Sequence, residues 1–517
     1  MKNVLKIFIG VLAIGFASCE PEFETPITDE GFYDSGDANL TTFVAVGNSL
    51  TAGFADSALY ITGQENSYPN ILAGQFALAG GGTFTQPLMS DNLGGLKLNG
   101  TIVAENRFVL SVDEMGNPFP NRLAGDPTTE VTTSATGPFN NMGVPGAKSF
   151  HLVAPGYGTA NPYFGRFQTS QSATVLGDAA SLNPTFFSLW IGNNDILSFA
   201  TSGGAGVDQT GNFDPSTYGV NDITDPNVFA GSYSALVDGL SAGGAGGVLL
   251  NIPDVTSIPF FTTVPSAPLS PLNPAFGPQI PTLTAQFAPL NGAFAFLGVP
   301  ERSIVFSETS ASFVVIKDES LVDLSAQLIQ VLMAGGLDQL TATLLGTQYG
   351  QSRQATEADL MVLTSSSVIA SLNEDRLAEL IGLGVPAETA GQLSVNGVTF
   401  PLEDQWVLTA DEQASIATAA AAYNATIEGI AMANGLGFVD ARSALAQVAN
   451  GGVPYDAGVL TDTFVTGGAF SLDGVHPTAR GYAYTANLII DEINATYNAT
   501  IPKVNIGNFP TITAENN

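Results

Sequence analysis

Short apolar runs alternate with helical patterns along most of this chain, and that alternation restricts its fold more than any other feature of the sequence. Four runs are typical of buried strands, at residues 42–46, 185–191, 247–252 and 437–439. The helical patterns between and after them cover residues 68–79, 228–240, 282–297, 411–434 and 478–497. Strands that alternate with helices favour a parallel sheet covered on both faces. We therefore predict an α/β domain over residues 41–500, followed by a C-terminal tail over residues 501–517.

Two segments do not follow this alternation. Residues 80–140 are rich in Gly, Thr, Asn and Pro and contain β-like pieces such as residues 107–112. Residues 301–410 contain amphipathic segments at 321–333 and 355–372, but no obvious strand of the main sheet. We expect both segments to be insertions in one elaborated domain, and such additions commonly shape the mouth of a pocket.

The first residues predict export and a lipid anchor. Residues 1–18 combine a basic start with an apolar run of about 12 residues, which is too short to cross ~30 Å of hydrocarbon as a helix. The run Phe16-Ala17-Ser18-Cys19 resembles a bacterial lipobox, in which the cysteine becomes a lipid-modified N-terminus. We therefore expect a signal peptide over residues 1–18, lipidation of Cys19 and an acidic, flexible tether over residues 19–40. The alternative is an ordinary secreted protein that is cleaved nearby.

The charge of the chain restricts its partners. The 517 residues include 14 Lys and Arg against 47 Asp and Glu, which gives a formal net charge of −33 at pH 7. Such a charge repels phosphate backbones and argues against nucleic acid as a partner. We expect an exported lipoprotein that is held at the outer membrane through Cys19. The acidic residues behind Cys19 resemble signals that direct some Gram-negative lipoproteins to the cell surface, and a periplasm-facing orientation is the alternative.

Ser49 is the first candidate catalytic residue. It follows the first apolar run within Gly47-Asn48-Ser49-Leu50, at the end of a strand, where ligands of α/β sheets bind. A serine nucleophile needs a base, and the chain has two histidines, His151 and His476. Asp473 precedes His476 by three residues, so its carboxylate can reach the ring Nδ1–H. That contact leaves Nε2 free to accept the serine proton.

Two further segments offer hydrogen-bond donors for an oxyanion. The run Asn141-Met142-Gly143-Val144-Pro145-Gly146-Ala147 presents the backbone N–H of Gly146 after an irregular strand. The run Gly192-Asn193-Asn194-Asp195 ends a hydrophobic strand and carries the side-chain amide of Asn194. Each segment alone is a weak signal, because Asn and Gly end many strands.

Together these segments resemble, in the same order, the sequence blocks of the SGNH/GDSL hydrolases. The resemblance implies the nucleophile Ser49, the base His476, its partner Asp473, and an oxyanion hole formed by the N–H groups of Ser49 and Gly146 and the side chain of Asn194. It also implies a three-layer α/β/α, flavodoxin-like sheet with large insertions, and ester hydrolysis through an acyl-enzyme without a cofactor. Asn48 stands where the motif that names the family has Asp, which removes a negative charge beside the nucleophile.

Three other features are weaker candidates. Residues 239–243 fit the G-x-S-x-G pattern, but a helical pattern precedes the serine and a glycine run follows it, the reverse of a nucleophile elbow. The acidic loop 208–225 lacks the glutamate of a calcium-binding EF-hand, so we interpret it as a solvated loop. His151 has no acidic neighbour, and we expect it to lie at the surface or to line a pocket. We expect no metal site, because one lipidated Cys and two His make a poor ligand set.

Three functions are compatible with these residues. A lipase-like esterase acting on acyl esters is favoured by the apolar insertions and by residues 247–254, which look like the strand and Asn-Pro segment of longer lipase-like members of the family. A carbohydrate esterase that removes acetyl groups from glycans is the alternative within the same mechanism. A surface lipoprotein that binds a ligand without catalysis is the alternative outside it. The expected substrate is therefore a lipid ester or an acylated glycan.

Overall fold

A central sheet of five parallel strands organises the protein. The computed structural model describes residues 32–515, so the predicted signal peptide, Cys19 and most of the predicted tether lie outside the described residues. The strands are β1 (Phe43–Gly47), β2 (Asn141–Gly143), β3 (Phe186–Trp190), β4 (Gly246–Leu250) and β5 (Gly437–Val439). Their order across the sheet is β5-β4-β3-β1-β2, and all neighbouring pairs are parallel. The four predicted strands and the mixed α/β fold are confirmed.

Alternate residues of the strands contribute to two hydrophobic cores, one on each face of the sheet. In β1, Val44 and Val46 belong to one core, whereas Phe43 and Ala45 belong to the other. All residues of β1 and β3 are buried, as expected for a parallel sheet that is covered on both faces. This burial explains why the strands appear in the sequence as continuous apolar runs without polar alternation.

Five long helices match the predicted patterns to within two residues. They are Tyr68–Leu78, Pro226–Ser241, Ile280–Phe296, Ala410–Asn434 and Ala479–Thr496. Local capping fixes where they begin; for example, the Thr478 side chain accepts a hydrogen bond from the backbone N–H of Gly481. Shorter helices near the strand ends include Val175–Ser181, Asn194–Thr201 and Ala441–Ala449. Within residues 32–515, no helix has the length and apolar character needed to cross a membrane.

The first inserted segment forms two small β units beside the main sheet. Their strands are Leu96–Leu98, Thr101–Ala104 and Thr129–Glu130 in one unit, and Phe108–Val112 and Pro118–Arg122 in an antiparallel hairpin. The predicted β-like piece at residues 107–112 is therefore a strand. Leu110 of the hairpin donates a backbone hydrogen bond to the carbonyl of Thr513. The C-terminal tail is thus hydrogen-bonded to the hairpin.

The second inserted segment has a hydrophobic core of its own, whose buried members run from Val264 to Val407. Its elements are the helices Ser325–Ala334, Gln339–Tyr349, Glu374–Gly382 and Ala387–Gln392, and the paired strands Val315–Lys317 with Ser352–Gln354 and Leu360–Met361 with Val407–Leu408. Helix Ile280–Phe296 also packs in this core, so the inserted unit starts before residue 301. The predicted amphipathic segment 355–372 is not one regular helix, since it contains the short strand Leu360–Met361 and a 3-10 helix over Leu363–Ser367. Met361 lies in this core, whereas Val362 lies in a core of the main sheet.

Candidate active site

Ser49, His476 and Asp473 form one hydrogen-bonded chain. His476 Nε2 lies 2.9 Å from Ser49 Oγ, and His476 Nδ1 lies 2.9 Å from Asp473 Oδ2. The fold brings the end of β1 against the loop that precedes helix Ala479–Thr496, although Ser49 and His476 are 427 residues apart. When Nδ1–H donates to the carboxylate, Nε2 can accept the serine proton. This is the geometry that general-base activation of a serine requires.

The carboxylate of Asp473 is surrounded by hydrogen-bond donors. Oδ1 accepts from the backbone N–H groups of Val475 and His476 at 2.9 and 2.8 Å and from Ser471 Oγ at 3.1 Å, and Oδ2 also accepts from the N–H of Ser57 at 2.8 Å. Burial alone would raise the pKa of Asp473, but the charge and hydrogen bonds of His476 and the backbone donors outweigh burial and lower the pKa to about 2. Asp473 is therefore ionised near neutral pH and can stabilise an imidazolium.

A second buried carboxylate, Asp56, supports the segment that carries Asp473, and no sequence motif points to it. The backbone N–H of Leu472 donates to Asp56 Oδ1 at 3.1 Å, and the N–H of Asp56 donates to Ser471 Oγ at 2.9 Å. The hydroxyl of Tyr60 donates to Asp56 Oδ2 at 2.9 Å. Burial raises the pKa of Asp56 to about 6, although the hydrogen bonds from Leu472 and Tyr60 oppose that shift.

The backbone at Asp56 and Ser57 has an uncommon conformation. Both residues have a positive φ, 53° and 62° respectively, which few residues other than glycine adopt. In this conformation the N–H of Ser57 reaches Asp473 Oδ2. Asp56 and Ser57 therefore orient the Asp473 carboxylate from the side of the first inserted segment.

Close packing at the end of β1 positions Ser49. A side chain at Gly47 would lie 2.3 Å from the carbonyl oxygen of Trp190 in β3, so only glycine fits there. Asn48 accepts from the N–H of Leu50 at 3.0 Å, and its Nδ2 donates to Asn193 Oδ1 at 3.0 Å. An aspartate at this position could accept from Leu50 but could not donate to Asn193. The amide of Asn48 therefore connects the loop that carries Ser49 to the segment that carries Asn194.

The residues predicted to supply oxyanion donors, Ser49, Gly146 and Asn194, follow the neighbouring parallel strands β1, β2 and β3. Gly146 has φ 79°, a left-handed conformation that glycine adopts readily. The backbone N–H groups of Ser49 and Gly146 donate no hydrogen bond to any residue between 32 and 515. Asn194 Nδ2 donates to the carbonyl of Ala147 at 2.9 Å, which orients the amide and uses one of its two hydrogens. Asn194, Ser49 and His476 line the same cavity.

The buried Asp195 connects the two oxyanion segments. Its carboxylate accepts from the N–H of Ser149 at 2.8 Å and from Ser149 Oγ at 2.7 Å. Burial raises the pKa of Asp195, while the hydrogen bonds of Ser149 oppose that shift. Asp195 follows Asn194 directly and Ser149 lies three residues after Gly146, so this contact fixes the spacing of the two donors.

The weaker candidates lie outside this constellation. His151 Nδ1 accepts from the N–H of Lys148 at 3.1 Å and its ring stacks on Tyr157; burial and the nearby Lys148 lower its pKa to about 4. Residues 239–243 lie at the end of helix Pro226–Ser241. The carboxylates of the loop 208–225 accept hydrogen bonds from neighbouring residues, and no cluster of three metal-ligating side chains occurs within residues 32–515.

Two cavities meet at His476 and differ in size and lining. An apolar channel of about 110 Å³ extends from Ser49 and Asn194 between the strand ends and helices Ala441–Ala449 and Ala479–Thr496. Its apolar walls include Trp190, Leu250, Val439, Leu445, Val448 and Leu488. An outer cleft of about 1030 Å³ lies between the hairpin of the first insertion and the second insertion, and Ser57 and Asp473 line it. The apolar channel and the outer cleft are therefore two separate approaches to one histidine.

No protein-family model, curated protein or solved structure matches the chain. The residues predicted from the sequence are nevertheless close together, because Ser49, His476 and Asp473 share one chain of hydrogen bonds. Cys19 lies outside the described residues.

Proposed function

We propose that this protein is a serine ester hydrolase of the SGNH/GDSL type, built on a three-layer α/β/α sheet. The observation that carries the proposal is the chain of two 2.9 Å contacts that joins Ser49, His476 and Asp473. The available donors of Ser49, Gly146 and Asn194 support it, since acyl transfer needs groups that stabilise an oxyanion. The mechanism requires no cofactor.

In the proposed reaction Ser49 Oγ attacks the ester carbonyl while His476 Nε2 accepts the hydroxyl proton. The N–H groups of Ser49 and Gly146 and the amide of Asn194 bind the oxyanion of the tetrahedral intermediate. His476 then donates its proton to the leaving alcohol, and the acyl group stays on Ser49. Water repeats the sequence on the acyl-enzyme and releases the acid, while Asp473 stabilises the imidazolium in both halves.

The apolar channel favours acyl esters over acetylated glycans. It begins at Ser49 and its walls are aliphatic and aromatic side chains of the sheet and of two helices. Burying a methylene group in such surroundings contributes about 0.8 kcal/mol, so each added carbon of an acyl chain should improve transition-state binding until the channel is full. An acetyl group would leave most of the channel without a ligand.

The test is hydrolysis of 4-nitrophenyl acetate, butyrate and octanoate by the full chain and by its Ser49→Ala variant. We expect kcat/KM to rise from acetate to the longer esters, and we expect Ser49→Ala to lower kcat by about 10⁶-fold. A preference for acetate with no activity on octanoate would instead favour the carbohydrate esterase. Equal rates for both proteins on every ester would contradict a serine hydrolase and favour a binding lipoprotein. Circular dichroism of the variant controls for folding.

We also propose that the enzyme is an outer-membrane lipoprotein anchored through Cys19. The support is the sequence of residues 1–19, with its basic start, short apolar run and lipobox-like end. Cells that express the chain should incorporate radiolabelled palmitate into it, and the Cys19→Ala variant should carry no label. Protease treatment of intact cells then distinguishes surface exposure from a periplasm-facing orientation.

A further inference from the structure

The outer cleft contains one positively charged side chain, Arg122. Among the side chains that line this cleft, only Arg122 and Asp473 carry a formal charge. Asp473 already accepts hydrogen bonds from His476 and from three other residues. Arg122 is therefore the charged group of the cleft that remains available to a substrate.

The position of Arg122 is fixed by neutral partners. Nη1 donates to the carbonyl of Asn106 at 2.5 Å, Nη2 donates to Ser57 Oγ at 3.2 Å, and the guanidinium lies 3.9 Å from the centre of the Phe108 ring. Phe108 and Arg122 are directly opposite each other in the hairpin, so their side chains stand on the same face. The guanidinium is thus held in place before any ligand binds, which lowers the entropic cost of binding.

Two other arginines of the chain, Arg353 and Arg302, have more hydrogen-bond partners than Arg122. Arg353 pairs with the carboxylates of Asp318 and Asp359 at 2.6 and 2.7 Å. Arg302 is almost fully buried and donates to four backbone carbonyls. A guanidinium has five N–H groups, and Arg122 uses two of them. Among residues 32–515 no ion pair within 4.0 Å joins Arg122 to a carboxylate, and Glu105 and Asp473 act on it only through their more distant charges. Its remaining donors suit a planar, bidentate anion.

Arg122 is connected to the catalytic residues through Ser57. Its Nη2 contacts Ser57 Oγ, and the N–H of Ser57 donates to Asp473 Oδ2 at 2.8 Å. His476, which would protonate the leaving alcohol, lines the same cleft. The rest of the cleft wall is rich in aromatic and proline side chains, including Phe119, Phe260 and Pro120. The alcohol part of the ester would therefore meet an apolar wall with a single cation on it.

We propose that the outer cleft binds the alcohol part of the ester and that Arg122 recognises an anionic group, a carboxylate or a phosphate monoester, on that alcohol. The proposal rests on the proposed ester hydrolysis and adds the class of leaving group. The acyl chain occupies the apolar channel, while the apolar body of the alcohol packs on the aromatic wall of the cleft. In a chain with a net charge of −33, a fixed local cation is needed to hold such an anion.

The test compares three butyrate esters of similar size, namely 4-butyryloxybenzoate, its methyl ester, and 4-butyryloxyphenyl phosphate. The wild-type chain, Arg122→Gln, Arg122→Lys and the control Lys503→Gln are assayed for kcat/KM on each ester. Lys503 is half-exposed and pairs with Asp491 on the surface, so its substitution removes the same charge away from the cleft. Comparing the variants on one ester cancels the differences in intrinsic reactivity between the esters.

We expect Arg122→Gln to lower kcat/KM for at least one anionic ester by roughly 10–100-fold, because a hydrogen bond to a charged group contributes ~1.5–3 kcal/mol. The neutral methyl ester should change by less than about threefold, Arg122→Lys should retain part of the activity on the anionic ester, and Lys503→Gln should behave as wild type. The anionic ester that loses activity identifies the group as carboxylate or phosphate.

Two results would overturn the proposal. An equal loss on all three esters would show that Arg122 only supports the structure, and unchanged rates on both anionic esters would show that the cleft does not recognise an anion. Failure of the proposed hydrolase is distinguishable from both, since the wild-type chain would then hydrolyse none of the three esters.

Discussion

The apolar channel and the outer cleft reach the same histidine but are built from different parts of the chain. The channel walls come from the sheet and from the helices that follow β5, with side chains such as Trp190, Val439 and Leu488. The cleft walls come mainly from the two insertions, with side chains such as Phe119 and Phe276. If the protein is the proposed ester hydrolase, this difference means that the part that would hold the acyl chain and the part that would hold the alcohol can change independently in evolution.

The proposed catalytic groups are also divided between the two cavities. Ser49, Asn193 and Asn194 line the channel, whereas Ser57 and Asp473 line the cleft. Substitutions on the channel side should therefore alter the oxyanion and the acyl preference. Substitutions on the side of the outer cleft should alter the orientation of His476, the proposed base.

After Ser49→Ala, the largest loss of kcat should come from a substitution on the side of the outer cleft. Asp473→Asn should lower kcat by about 10⁴-fold, because an amide stabilises the wrong tautomer of His476 and cannot stabilise the imidazolium. The loss should be the same for acetate and octanoate esters, and KM should change little. A loss confined to one chain length would mean that Asp473 acts through substrate binding.

On the channel side, Asn194→Ala should lower kcat by about 10²–10³-fold through loss of one oxyanion donor. KM should change much less, since the donor acts mainly on the transition state. Because Asn194 also bonds to Ala147, the melting temperature of the variant is measured alongside. A fully active variant would contradict the assignment of Asn194 to the oxyanion hole.

The pH dependence of the unfolding free energy tests the raised pKa of Asp56, the buried carboxylate behind the outer cleft. The pKa of Asp56 is raised to about 6, so the folded protein keeps the proton that the unfolded chain releases near pH 4. The contribution of Asp56 to stability is therefore full below pH 4 and is lost as the pH rises to about 6. Between pH 4 and pH 7 the wild type should lose, relative to Asp56→Asn, on the order of 3 kcal/mol.

Urea unfolding of both proteins at several pH values measures this difference. A difference in unfolding free energy that is constant with pH would show that Asp56 has an ordinary pKa in the folded state. Tyr60→Phe is a useful companion, because it removes one donor to Asp56, raises the pKa of that carboxyl further and should extend the loss of stability to higher pH.

The smallest predicted effect is a change in the preference for acyl-chain length. Ala444 lines the apolar channel, and Ala444→Phe should lower kcat/KM for octanoate by about tenfold while acetate is unaffected. Ala446→Phe is the matched control, since Ala446 lies on the same helix, is exposed and does not line the channel. Equal losses on acetate and octanoate would mean that the acyl chain does not enter the channel.

The sequence predicted correctly those features of the fold and of the candidate site that depend on local patterns. The strands at residues 42–46 and 185–191 are continuous apolar runs because both faces of the sheet are covered. Asp473 and His476 are three residues apart, so their contact needs no knowledge of the tertiary structure. Ser49 follows β1 directly, at the edge of the sheet where ligands of α/β folds bind, and His476 reaches it from the loop that precedes helix Ala479–Thr496.

The sequence was insufficient where contacts join distant segments. Asp56 meets Leu472 across 416 residues, and its role depends on two residues with positive φ that no pattern predicts. Helix Ile280–Phe296 has the pattern of a covering helix, but periodicity does not reveal which core a helix faces, and it packs in the second insertion. The two cavities are likewise formed by side chains far apart in the chain.

The most direct measurement is the site of the covalent acyl group during turnover. The full chain is mixed with 4-nitrophenyl octanoate and quenched in acid within milliseconds, and the peptides are mapped by mass spectrometry. We expect one octanoyl group on Ser49, absent from Ser49→Ala and accumulating in His476→Ala no faster than in the uncatalysed reaction. Turnover without acylation of Ser49, or with the acyl group on another residue, would contradict the proposed mechanism.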